Sequence, residues 1–204
     1  MQKIKNIIFD MGGVILPLDF QQTFKAFERL AFNNFEKLFN KAYQHDFIVA
    51  YETGEITSAE FRTHIRNILE IDVDDSTVDH AWNAMLVGFP TQNIDFVRQE
   101  AKNKRTFLLS NTNVLHLTAA ENILTKEHPK VTWEMLFEKT YFSHLVGDRK
   151  PNISIFEKVI EENSLVPEET VFIDDSIQHI KGAKKAGLHV IHLKDKMSIT
   201  DLSL

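Results

Sequence analysis

Three short apolar runs, "KNIIFD", "RTFLLSN" and "TVFIDDS", each stop abruptly at polar or acidic residues. None shows the apolar–polar alternation of a half-exposed strand. A strand reads this way when both of its faces are covered, as in a parallel sheet flanked by helices. A fourth run, "LHVIHL", follows near the end. The stretches between read as helices. "PNISIFEKVIEEN" puts Pro151 at a first-turn position and Ile153, Phe156, Val159 and Ile160 on one face. "SIQHIKGAKKAG" opens on a capping residue, Ser176, and stops at Gly187. Gly182 inside it is expected to permit close contact with the sheet. Strand alternating with helix predicts an α/β fold built on a doubly wound parallel sheet.

The stretch from Pro17 to Pro90 breaks the alternation. Phe20, Phe24 and Phe27 fall on one helical stripe, expected to be bundle core. "TSAEFRTHIRNILE" carries a capping-box pattern, Thr57 with Glu60, ahead of Phe61, Ile65, Ile68 and Leu69. The expected organisation is therefore an α/β core over 1–16 and 91–204, interrupted by an all-helical insert over 17–90. A chain of 204 residues suits one such core plus a small insert. Its formal charge of -6 offers no basic field for nucleic acid or anionic lipid. Cysteine is absent, which excludes thiolate chemistry and fits a reducing compartment. With no signal-peptide layout and no apolar run long enough to span a bilayer, the expectation is a cytoplasmic protein.

In an open parallel sheet, ligands bind beyond the carboxyl ends of the strands. Asp10, Ser110 with Asn111, and Asp174 with Asp175 end the three runs and should converge there. Lys150 in "GDRKP" would join them. That set suits phosphate chemistry. Asp10 can act as nucleophile. Asp175 and Asp174 offer hard oxygen ligands to Mg²⁺. Ser110 and nearby amides can hold phosphate oxygens, and Lys150 supplies positive charge. A carboxylate and a phosphate dianion repel each other, so such a nucleophile needs both cations. The nine histidines form no H-x-x-x-H spacing, so zinc is not expected, and Trp82 and Trp133 read as packing residues.

The order "FDMGGV", "LLSNTN", "RKPNISIF", "FIDDS" resembles the four motifs of the haloacid dehalogenase (HAD) superfamily over nearly the whole chain. "YETGEIT", "AWNAML" and "GDRKP" are similar to its bacterial sugar-phosphatase branch, typified by alpha-D-glucose-1-phosphate phosphatase. The resemblance implies a Rossmann-like core with a helical cap. It implies a phosphatase acting on a small phosphorylated metabolite, a sugar phosphate, through an aspartyl phosphate on Asp10. Mg²⁺ would be ligated by the Asp10 carboxylate, the Gly12 carbonyl and Asp175, with Asp174 nearby. Ser110, Asn111 and Lys150 would bind the phosphate.

The departure is Gly12, where most HAD phosphatases carry a second Asp as general acid and base. Glycine keeps the carbonyl and loses the proton donor, a device worth about 10²–10⁴-fold in rate. The sugar-phosphatase branch shares this departure. Asp19, Asp46, Glu52 and Glu55 are candidates to replace the acid, with Asp19 favoured by its nearness to Asp10 in the sequence. Gly13 is expected to serve the tight turn. The competing readings are a 2-haloacid dehalogenase and a regulatory phosphate-binding HAD domain. The first needs no metal and usually has an aromatic residue at the Gly12 position. A response-regulator receiver has its acidic pair first in the chain, whereas here the pair comes last.

Overall fold

The computed structural model describes residues 4–31, 46–194 and 197–204. Five parallel strands form one sheet: β1 (Asn6–Phe9), β2 (Arg105–Ser110), β3 (Lys139–Phe142), β4 (Thr170–Asp174) and β5 (His189–His192). Their order is β3-β2-β1-β4-β5, so β1 lies at the centre, between β2 and β4. The four apolar runs are β1, β2, β4 and β5. The fifth strand, β3, has no such run; it begins on an exposed Lys139 and lies at the edge, paired only with β2.

The absence of alternation has the expected cause. Ile7, Phe9, Leu108, Val171 and Ile173 face one side, where they pack with Ile94, Val97, Ala120 and Leu124. Ile8, Phe107, Leu109 and Phe172 face the other, where they meet Ile155, Phe156, Val159, Ile180 and Ala183. Each face is thus a complete core, and β1 is buried at all four positions.

The cap helices described are α1 (Phe20–Glu28), α2 (Asp46–Glu52), α3 (Ser58–Leu69) and α4 (Asp75–Asn83). The part of the helical insert at 32–45 lies outside the described residues. The cap has its own core of Phe27, Tyr51, Phe61, Ile65, Leu69, Val78 and Trp82. The Thr57–Glu60 capping box forms at the start of α3. The phenylalanine stripe divides: Phe27 is fully buried and Phe24 packs against the cap core, but Phe20 is 53% exposed. It sits at the first position of α1, one turn beyond the core.

The remaining core helices are α5 (Thr91–Glu100), α6 (Val114–Glu127), α7 (Trp133–Leu136), α8 (Ser143–Val146), α9 (Ile153–Glu162) and α10 (Ile177–Lys185). Two expectations need correction here. Pro151 precedes the N-cap of α9, Asn152, instead of lying in the first turn, and Ile155 replaces the exposed Ile153 on its buried face. Gly182 makes its close contact with the Pro151 carbonyl and the Phe156 ring, and so packs α10 onto α9 and the loop before it, not onto the sheet.

A methyl group at Gly182 would lie 2.4 Å from the Pro151 carbonyl oxygen. That oxygen is main chain and cannot swing away. Gly182→Ala is expected to destabilise the protein by about 1–3 kcal/mol despite the better helix propensity of alanine. Thermal unfolding should show a Tm lowered by about 2–4 °C per kcal/mol. An unchanged or raised Tm contradicts the packing described.

Candidate active site

The sheet order reverses direction at β1, and the crevice beyond the carboxyl ends of its strands is where the polar strand-end residues meet. Asp10 follows β1 directly, and its N–H donates to the Ile173 carbonyl of β4 at 2.9 Å. Asp174 ends β4 and Ser110 ends β2, both almost fully buried. Lys150 comes from the loop before α9 and is fully buried. Its ammonium lies 2.8 Å from Asp10 Oδ1 and 2.8 Å from Asp174 Oδ2. Five sequence-expected residues, Asp10, Ser110, Asn111, Lys150 and Asp174, therefore converge on one end of the sheet.

The two carboxylates beside Lys150 differ in their other partners. Asp174 Oδ1 accepts the Ser176 N–H at 2.7 Å, and both Asp174 oxygens lie 3.0 Å from His179 Nδ1. Burial alone would raise its pKa, but Lys150 and His179 more than offset that and hold Asp174 well below the usual carboxylate range. Asp10 has the Met11 N–H at 2.7 Å as its further donor. Burial raises its pKa well above the usual carboxylate value, against the pull of Lys150 and with the Asp174 charge adding to the rise. One ammonium serves two buried carboxylates, and Asp10 is the one left short of positive charge.

Asp175 points the other way. It is exposed, lines the same cleft as Asp10 and Gly12, and packs directly over Gly13. Its setting in the cleft, and then the Asp174 charge, raise its pKa. Gly13 has φ +75°, and a Cβ there would fall 2.2 Å from Asp175 Oδ2. The second glycine thus serves the turn and also the approach of this carboxylate. At Gly12 an added Cβ would meet only Leu18, with Cδ1 at 2.9 Å.

Asp10, Gly12 and Asp175 present an all-oxygen set, two carboxylates and a carbonyl, which fits Mg²⁺. Asp10, Asp174 and His179 also lie close enough to share an ion. The Lys150 ammonium already stands between Asp10 and Asp174, however, and Asp174 has its oxygens engaged. Asp174 is thus paired with Lys150 and His179, while Asp175 lines the cleft beside Asp10 and Gly12 and could hold a cation.

The Asn111 side chain holds the main chain of Lys150. Its Nδ2 donates to the Lys150 carbonyl at 2.9 Å, and its Oδ1 accepts the Lys150 N–H at 3.0 Å. Asp19 caps α1, accepting the Gln21 N–H at 3.0 Å, and is not among the cleft-lining residues. Glu55 is exposed and receives the Thr53 hydroxyl. Asp46 and Glu52 do line the cleft, which encloses about 430 Å³. The rest of its cap side is apolar, with Leu18, Phe20, Ile48, Val49, Trp82 and Met85. Trp133 is core packing under the sheet, while Trp82 is both cap core and cleft wall.

Sequence reading missed three residues. Arg149 pairs with Glu52 of the cap at 3.1 Å. His179 supports Asp174; its position five residues beyond a strand-end carboxylate, in the first turn of α10, is a usable signal. His116, in α6, stacks on Trp82 with ring centroids 4.8 Å apart. Asn113 Nδ2 donates to its Nδ1, and its Nε2–H donates to the Trp82 carbonyl, so the neutral ring is satisfied at both nitrogens.

The model of the haloacid dehalogenase-like hydrolases matches residues 4–187, and the chain belongs to that family of hydrolases. It is 27% identical to D-ribitol-5-phosphate phosphatase of Bacteroides thetaiotaomicron over 90% of this chain and 89% of that one. It is 25% identical to glyceraldehyde 3-phosphate phosphatase of Pyrococcus furiosus, over 95% of this chain and 82% of that protein. A HAD family enzyme from Bacteroides thetaiotaomicron, solved with magnesium and inorganic phosphate, superposes with a TM-score of 0.85 at 35% identity, covering 98% of this chain and all (100%) of that one. No helix among the described residues is long and apolar enough to cross a membrane.

Burial lowers the His116 pKa from 6.5 to about 4. The folded value is the lower one, so the stability this neutral ring contributes is complete above the unfolded pKa and is lost as pH falls toward the folded one. Between pH 7 and pH 5 the loss from this ring is about 2 kcal/mol. Urea unfolding at the two pH values measures it, and His116→Gln should remove that part of the difference. An equal difference in wild type and variant contradicts it.

Proposed function

We propose that the protein is a Mg²⁺-dependent phosphatase of small phosphorylated metabolites, a sugar or sugar-alcohol phosphate, working through an aspartyl phosphate on Asp10. The observation that carries this reading is the buried Lys150 ammonium, 2.8 Å from both Asp10 and Asp174 at the carboxyl end of the sheet. The magnesium and phosphate in the similar solved structure and the sugar-phosphate-type names of the relatives support it. The proposed division is a core of 1–16 and 91–204 with a cap over 17–90.

In this reading Asp10, the Gly12 carbonyl and Asp175 hold the ion. Bound there, Mg²⁺ supplies charge neutralisation for the phosphate and for Asp10. Lys150 partly offsets the Asp10 charge and draws phosphate oxygens toward the strand ends. Asp10 attacks phosphorus as a carboxylate and forms the acyl phosphate as the P–O bond to the substrate breaks, and the departing oxygen takes its proton from solvent water. Water then attacks the same phosphorus, returning the Asp10 carboxylate and releasing phosphate. Ser110 and the main-chain N–H groups after β2 receive phosphate oxygens, since the Asn111 side chain is committed to Lys150. Asp174 fixes Lys150. Glycine at 12 leaves no acid next to the nucleophile, which suits a leaving oxygen of low basicity such as a sugar hemiacetal.

Asp10→Asn should abolish phosphate release while the variant melts at or above the wild-type temperature, since a buried charge has been removed. Retention of more than about a hundredth of wild-type kcat/KM, against the much larger loss expected for a missing nucleophile, would overturn the assignment. Gly12→Asp adds a carboxylate where the backbone φ is not positive and the new Cβ meets only the end of the Leu18 side chain. The expected gain is up to about 10²-fold for a primary-alcohol phosphate and little for a sugar 1-phosphate. Steady-state rates across a series of leaving groups measure this. Equal or slower rates throughout, in a folded Mg²⁺-binding variant, would mean that the proton is already supplied elsewhere.

A further inference from the structure

Two arginine ion pairs among the described residues are fork-aligned. Arg62 gives Nε and Nη2 to the two Asp79 oxygens at 2.7 and 2.8 Å, and Arg105 does the same to Glu138 at 2.8 and 2.6 Å. The Glu52–Arg149 pair differs. It makes a single 3.1 Å contact, Nη2 to Oε2, without hydrogen-bond alignment. Arg149 Nε and Glu52 Oε2 are both buried and without a hydrogen-bond partner. A pair kept only to join cap and core would use its fork. Burying polar atoms with their capacity unspent is costly, and native proteins do so rarely and for a reason.

Both side chains line the cleft, and they are 19% and 26% exposed. Glu52 ends α2 of the cap, and Arg149 directly precedes Lys150. The pair therefore stands on the cap side of the phosphate-binding cation. Its chemistry is an acceptor beside a donor. Two adjacent hydroxyl groups match it: one donates to the carboxylate, and its neighbour accepts from the guanidinium. The pair is neutral in sum, and Asp46 lines the same cleft, so a second anionic group on the substrate finds no surplus cation.

We infer that the Glu52–Arg149 pair reads a vicinal diol on an otherwise uncharged phosphate monoester, and so selects polyhydroxylated chains over plain alkyl ones. The inference rests on the phosphatase reading above. The ordinary pull of burial on Glu52, which raises its pKa, is consistent with a carboxylate held for a ligand and not for a strong partner.

The test compares kcat/KM for D-ribitol 5-phosphate and for 1-pentyl phosphate, which has the same chain length and no hydroxyls, with p-nitrophenyl phosphate as a reporter of phosphatase activity itself. Wild type should favour the ribitol ester. Glu52→Gln should reduce that preference by roughly ten- to a hundredfold, the span of a lost charge-assisted hydrogen bond, chiefly through KM. Arg149→Lys, which keeps the charge and removes the fork, should do the same. The fall for pentyl phosphate should stay within about threefold, well below that span. Parallel losses with both esters, or an unaltered preference in folded variants, would overturn the inference. Wild type that releases phosphate from p-nitrophenyl phosphate but shows no preference for the ribitol ester would overturn it while leaving the phosphatase reading standing. No release from any of the three with Mg²⁺ present would remove both.

Discussion

The arrangement depends on one buried cation. Lys150 is fully enclosed, and a buried ammonium persists only where carboxylates and hydrogen bonds replace its water. Asp10 and Asp174 provide that replacement from the ends of β1 and β4, and Asn111, just past β2, clasps the lysine main chain on both sides. Three neighbouring strand ends are thus tied to a single loop. The pair of charges that holds the loop down is also the charge system available for reaction. Neutralising Asp10 would leave Lys150 and Asp174 as a one-to-one pair, whereas losing Asp174 would take from the lysine its best-held partner, so stability and chemistry draw on the same few atoms.

The cap meets this centre through contacts of a different kind. Tyr51 Oη receives the Leu115 N–H at the start of α6 and shares a hydrogen bond with Ser58, while His116 lies flat against Trp82. At the other crossing, Glu127 accepts the Phe89 N–H and His128 reaches the Phe89 carbonyl. Hydrogen bonds and ring stacking hold the two parts together here, away from the Lys150 centre. The cleft has a cap wall that is apolar apart from Asp46 and Glu52, facing a charged floor from the sheet. A molecule with a phosphate at one end and uncharged atoms at the other matches that division.

Much of this was legible because a fully covered strand leaves an unbroken apolar run and its end is marked by the first polar residue. Asp10, Ser110 and Asp174 were placed in that way. Strand β3 escaped because its four residues begin with Lys139 and take their register from β2, not from a pattern of their own. Asp174 and Asp175 are equivalent on paper. Only the strand pleat, which turns one toward Lys150 and the other toward Gly13, separates them. The Asn111 clasp, the Arg149–Glu52 contact and the His116–Trp82 stack join segments far apart in the chain, and local sequence carries no mark of them. Phe20 obeyed helical spacing, but the core ended one turn before it.

The two adjacent glycines after Asp10 are constrained very unequally. At Gly13 a left-handed backbone and the overlying Asp175 carboxylate together forbid a side chain. At Gly12 only the end of one leucine stands in the way. The turn thus places a position that cannot vary next to one that can, and the variable one lies in the cleft beside the nucleophile. A lineage built on this scaffold could change how protons are handled by a single substitution, without disturbing the geometry that seats the carboxylates. The fixed glycine is what makes its neighbour free.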